Sequence, residues 1–201
     1  MTLPGPSLVV GFGRVFNAEA IDCAERARRA AEIGDPNRIA GAVAASVLMS
    51  CAAVEAVLSE LATCYASPSP HYSLLPTSEL QFVRDGTSAL YTRFARLIQF
   101  YSPATKCDDH EPFKDFRCLV ELRNHFAHRH AAFLVLGEWP EDLRNCKKRI
   151  PFHSDGLHDW TSVLLVPAVA EWSVQTLAAF FAWVTPLMPL IRSGPLPNAA
   201  A

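Results

Sequence analysis

The sequence predicts an all-α fold, a compact bundle of about five helices ending in a long apolar one, on three observations. Several long stretches carry apolar residues at steps of three and four, the period of an amphipathic helix. Ala and Leu abound while alternating β-branched runs are scarce. Helix-start and helix-stop residues punctuate those stretches where a bundle needs its turns. Asn17 is a plausible N-cap for a helix running to Ile33, with Gly34 as its stop, and residues 1–16 are read as an N-terminal segment outside the bundle. Asp35 and Pro36 cap and open a second helix to about Cys64. After the Pro/Ser loop SPSPHYSLLP, Thr77 or Ser78 caps a third helix through Tyr101, weakened by Gly86. The loop SPATKCDDHEP leads to a fourth helix from Phe113 to His130, with Pro112 at its start. Residues 131–160 read as an irregular connection with one short helical turn. A last helix spans Ser162 to Leu190, interrupted by Pro167, before a flexible tail, 191–201.

Some 200 residues suffice for one core, so a single domain over 17–190 is expected. Half of the residues are hydrophobic and 19% are charged, which predicts a further buried surface such as a homodimer interface. The net charge of −2 excludes a general nucleic-acid coat protein but leaves room for a local basic patch. Six cysteines occur without a C-x-x-C pair; Cys51 and Cys118 fall on apolar helix faces, where free cysteine packs as a small hydrophobe. That usage, and an N-terminus without a basic region before its short apolar run, points to a cytoplasmic protein. The segment TLAAFFAWVTPLMPLI has no charge over sixteen residues, but Pro167, Glu171 and Gln175 upstream favour a core or interface helix over a membrane span.

The chemistry concentrates in Arg123-Asn124-His125-Phe126-Ala127-His128. On a helical wheel Arg123 falls with Phe116, Val120 and Ala127 on the apolar face, where a charge is unexpected. Asn124 and His128 are four apart on one shoulder, so Arg123 and His128 flank that shoulder and can converge on one anion in a cleft beside the helix. An Arg on an apolar stripe needs a partner or a ligand. The second helix supplies a candidate: between Gly41 and Ser59 its sole charge is Glu55, among Val47, Leu48, Cys51, Val54, Leu58 and Leu61. Two readings follow and are compatible, an Arg123–Glu55 ion pair that sets helix register and a Glu55 that supports a site. His125 is placed towards solvent. His125, His128 and His130 crowd together, with Cys107, Asp108, Asp109 and His110 upstream, yet no metal or other cofactor is expected. Arg117, Arg129, Lys147, Lys148 and Arg149 are candidate RNA contacts around the motif; the alternative for the Lys-Lys-Arg run is a solvated loop.

LVELRNHFAH, preceded by SCAAVEAVLSEL and followed by AVAEWSVQTLAAFFAWV, resembles the HEPN domain family. The family motif is an Arg, four to six residues and a His, with Asn often after the Arg, late in a compact helical bundle. The resemblance covers roughly Asp35 to Leu190. It implies metal-independent cleavage of RNA, with His128 transferring protons, Arg123 holding the phosphate and Asn124 orienting either. It further implies two motifs meeting across a twofold homodimer, and a toxin with a partner antitoxin as one biological setting. The other setting is a non-catalytic module that binds RNA, a nucleotide or another protein.

Overall fold

The computed structural model describes residues 11–66, 74–128, 141–152 and 164–188. Their secondary structure is entirely helical. The α-helices are α1 (Gly11–Glu32), α2 (Pro36–Cys64), α3 (Thr77–Arg84), α4 (Leu90–Tyr101), α5 (Glu111–His128) and α6 (Pro167–Val184). Short 3-10 turns cover Cys107–Asp109, Glu141–Cys146 and Thr185–Leu187. The expectations for residues 1–10, 129–140, 153–163 and 189–201, including the flexible tail, lie outside the described residues, as does most of the loop after α2.

Two adjacent residues turn α1 into α2. Gly34 takes φ 69°, the left-handed region open to glycine. Its N–H and that of Asp35 then return to the Ala31 and Ala30 carbonyls, at 3.1 and 3.0 Å, in a Schellman arrangement. Asp35 also caps α2, accepting from the Arg38 N–H at 3.0 Å, with Pro36 in the first turn.

The expected start of α1 at Asn17 is corrected: the helix begins at Gly11, inside the segment assigned to 1–16. A Cβ at Gly13 would lie 2.7 Å from Val57 Cγ2, so this glycine lets the start of α1 close onto α2 instead of breaking the helix. The single helix expected over 78–101 is two. The Asp85 carboxylate accepts from the Thr87 N–H at 3.0 Å and its hydroxyl at 2.6 Å, a local turn that competes with helix. The last helix is interrupted where expected: Leu164 is helical, the chain bends at Leu165 and Val166, and α6 runs from Pro167 to Val184 before a 3-10 turn at Thr185–Leu187, while Ser162 lies outside the described residues.

α2 is the axis of the bundle, packing on α1, α3, α5 and α6. Val43, Val47, Cys51, Val54, Leu58 and Leu61 of α2 are buried in one cluster with residues of all the other helices. Phe94 of α4, Phe116 of α5 and Phe180 of α6 meet at its centre: Phe116 and Phe180 stack with centroids 4.0 Å apart, and Phe94 sets its edge to Phe180 at 5.2 Å. α2 is the one described helix long and apolar enough to cross a membrane by length and composition, and 44% of that window is buried within the bundle.

Cys118 is not free. It is joined to Cys146 of the 3-10 turn, and both are buried. Cys23, Cys51, Cys64 and Cys107 are free thiols. The 141–146 turn thereby lies against α5. The placement of His125 is corrected as well. That side chain, two turns beyond Cys118 on the same face, is 1% exposed rather than turned to solvent.

Candidate functional site

α2 and α5 cross so that their isolated charges meet. Arg123 Nη2 donates to Glu55 Oε2 at 3.4 Å, and Arg123 Nη1 to Asn124 Oδ1 at 2.9 Å. One turn before Glu55, the Cys51 thiol approaches the Leu119 carbonyl at 3.8 Å, tying the same crossing in the core. Arg123 therefore ends the buried face of α5: Phe116, Leu119 and Val120 lie beneath it, and its own side chain is 33% exposed. The two readings of the pair coexist in this geometry. The contact fixes the register of α2 against α5, and it holds a guanidinium at the edge of the core where a ligand can reach it.

A third charge completes the cluster. Arg93 Nη2 donates to the other Glu55 oxygen, Oε1, at 3.0 Å, and Nη1 reaches the Val83 carbonyl at 3.5 Å. Arg93 is 7% exposed, against 41% for Glu55. The signal for it was in the sequence. In LYTRFARLIQFY, Arg93 lies three residues after Leu90 and four before Leu97, on the buried stripe of α4, and so obeys the rule that singled out Arg123. Two guanidinium groups share the Glu55 carboxylate, and the Asp85 carboxylate also feels the Arg93 charge; Arg123, the more exposed of the two, is the group placed to meet an anion.

Burial pushes the Cys51 thiol up to about 12; the Arg123 charge opposes that and the Glu55 charge adds to it. This cysteine stays protonated and is no nucleophile. His128 is the last residue of α5, five residues beyond Arg123, about 7.5 Å along the axis.

The remaining basic candidates lie elsewhere. Arg149 donates to Asp115 at 2.6 Å and pairs with Glu111 at 2.8 Å, near the opposite end of α5 from the motif. Arg117 donates to Asp108 at 3.0 Å. Their charges are thus partly spent on neighbouring carboxylates. Lys147 and Lys148 are exposed, and Lys148 edges a cleft of about 440 Å3 with Trp172 and Gln175 of α6. Arg129 lies outside the described residues. Of the upstream acid and histidine group, His110 packs against Trp183 with ring centroids 5.1 Å apart.

Neither a protein-family model, nor a curated protein, nor a solved structure matches the chain.

Proposed function

We propose that this protein is a HEPN-type endoribonuclease acting without a metal, with Arg123, Asn124 and His128 as its working residues. The observation that carries the reading is the state of Arg123. An arginine on an apolar helix is retained at the core's edge by Glu55 and Asn124, one third open, with a histidine just beyond it at the helix end.

In the proposed reaction a ribose 2′-hydroxyl attacks its own phosphorus. One histidine takes the hydroxyl proton, and a second returns a proton to the departing 5′-oxygen as the P–O5′ bond breaks. The products are a 2′,3′-cyclic phosphate and a 5′-hydroxyl. An imidazole suits both transfers, since its ordinary pKa lies near neutrality. Arg123 would bind the phosphate bidentately and offset charge that builds on the pentacoordinate phosphorus oxygens. The second histidine would be His128 of a second copy across a twofold axis, which makes the acting species a homodimer. An antitoxin that covers the site is the regulatory partner this reading suggests. We place the activity in the cytoplasm, in keeping with the four free thiols; the Cys118–Cys146 bond is the one feature a reducing compartment would open.

The test is cleavage of labelled tRNA and mRNA by pure protein in EDTA, beside Arg123→Ala and His128→Ala. Cleavage lost in both variants, with cyclic-phosphate ends, is expected. Cleavage retained in both variants would sink the proposal.

A second reading, a non-catalytic interaction module, is favoured by one observation. Both terminal nitrogens of Arg123 already have a partner within the chain, as a structural arginine requires. A folded wild-type dimer that binds RNA or protein without cutting would establish it.

A further inference from the structure

Glu55 holds two arginines of unequal freedom. Arg93 makes the shorter contact, 3.0 Å against 3.4 Å, is 7% exposed against 33%, and is anchored further by the Val83 carbonyl. Arg123 has its second donor on Asn124, its own neighbour in α5, which constrains it less than a contact to another helix. If Arg123 were the sole counter-ion of Glu55, swinging towards an incoming phosphate would strip the carboxylate of its partner and set two anions side by side. With Arg93 fixed on Oε1, Glu55 stays neutralised when Arg123 departs.

We infer that Arg93 is a positioning residue, the resident counter-ion of Glu55 that leaves Arg123 able to exchange between that carboxylate and a phosphate of a bound strand. The identity of the anion rests on the proposed function; the exchange itself rests on the geometry of the three side chains. Arg93 is buried too deeply to meet the strand, and it acts only through Glu55. The guanidinium left free to exchange is then the more exposed one, where a ligand can use it.

Two readouts on the intact protein test this. One is the rate at which phenylglyoxal, an arginine-selective reagent, modifies Arg123, followed by peptide mass spectrometry. The other is affinity for a short single-stranded oligoribonucleotide made uncleavable by 2′-O-methyl groups. In Arg93→Met, Arg123 becomes the lone partner of Glu55, so both modification and affinity should fall by about threefold or more, the scale of a partly exposed ion pair. Adding Glu55→Gln to that variant should restore both, which a merely structural Arg93 would not produce. Arg93→Lys, which keeps the charge, should stay within about twofold of wild type. Unchanged modification of Arg123 in folded Arg93→Met, or no recovery in the double variant, would overturn the inference. Should Arg93→Met not fold, Glu55→Gln alone decides: faster modification of Arg123 supports the exchange, and an unchanged rate overturns it. Wild-type protein that shows the modification pattern but does not bind the oligoribonucleotide would retain the exchange and reject RNA as its anion.

Discussion

Helix α2 carries two polar inclusions, and they behave differently. At one, Ser46 and Ser50 of α2 meet Ser173 of α6 with no exposed surface on any of the three. The Ser46 hydroxyl reaches the Ala20 and Ala170 carbonyls at 3.0 and 3.4 Å and the Ser173 hydroxyl at 3.1 Å; Ser173 in turn donates to Ala170 at 2.8 Å. Small side chains let α1, α2 and α6 approach closely there, and the hydroxyls satisfy one another and the helix backbones. At the other inclusion, Glu55 gathers Arg93 and Arg123 at the rim, with more donors than its carboxylate can absorb. A neutral inclusion that closes its own hydrogen bonds is complete as structure. A charged one left open on one side, with a partly exposed guanidinium at its edge, retains capacity for a ligand.

That contrast separates activity from stability, and the largest effect should come at the open site. Arg123→Ala is expected to lower RNA cleavage by about 100- to 1,000-fold, the scale of a lost transition-state donor. Its unfolding free energy should move by only about 1 kcal/mol, because the pair is partly exposed. Cleavage kinetics beside urea unfolding check both halves. The closed site should show the reverse. Ser173→Leu overpacks the seam and orphans its hydroxyl partners, with an expected loss of about 3 kcal/mol or more in urea while cleavage per folded molecule is retained.

Next in size is the bond between α5 and the 141–146 turn. Cys118 and Cys146 are 28 residues apart, so closing that loop should contribute about 2–4 kcal/mol. Denaturation with and without a reductant, compared with the same pair of curves for a Cys118→Ser variant, measures it. A reductant effect that persists in the variant would assign the stabilisation elsewhere.

The smallest effect concerns a surface tie. Arg96 grips Glu79 through two contacts of 2.7 Å, linking α4 to α3, and holds its carboxyl below the ordinary glutamate range. A depressed folded pKa contributes stability that is present above the unfolded value, about 4.3, and is lost as pH falls through the folded one. Arg96→Ala should therefore flatten the acid side of the stability curve in that window and leave the curve near neutral pH almost parallel to wild type. A pH series of thermal melts on both proteins reads this directly.

The Glu55–Arg123 contact was legible in the sequence because Glu55 is the sole charge between Gly41 and Ser59 and Arg123 falls on the apolar face of its helix, where opposite charges must find one another. Arg93 sits on the apolar stripe of α4 in the same way, and only the packing of α4 beside α2 shows that it shares the same carboxylate. His125 was misplaced because a helical wheel assumes one buried side, whereas α5 is buried at Cys118, Leu122 and His125 as well as at Phe116, Leu119 and Val120. The start of α1 was set at Asn17 because nothing local reveals that Gly13 comes against Val57 of α2.

By itself, then, the sequence determined that the chain is helical, where α2 and α5 run, how Gly34 and Asp35 turn α1 into α2, and which two charges would pair. Each of these depends on periodicity, capping or a lone charge, properties carried by residues a few positions apart or by one residue against its own helix. Tertiary structure decided that two arginines share one carboxylate, that His125 is buried, that Cys118 is paired and that α1 begins six residues before Asn17. Those facts depend on which helix lies against which, and packing many apolar faces in three dimensions selects that arrangement; no single stretch of chain encodes it.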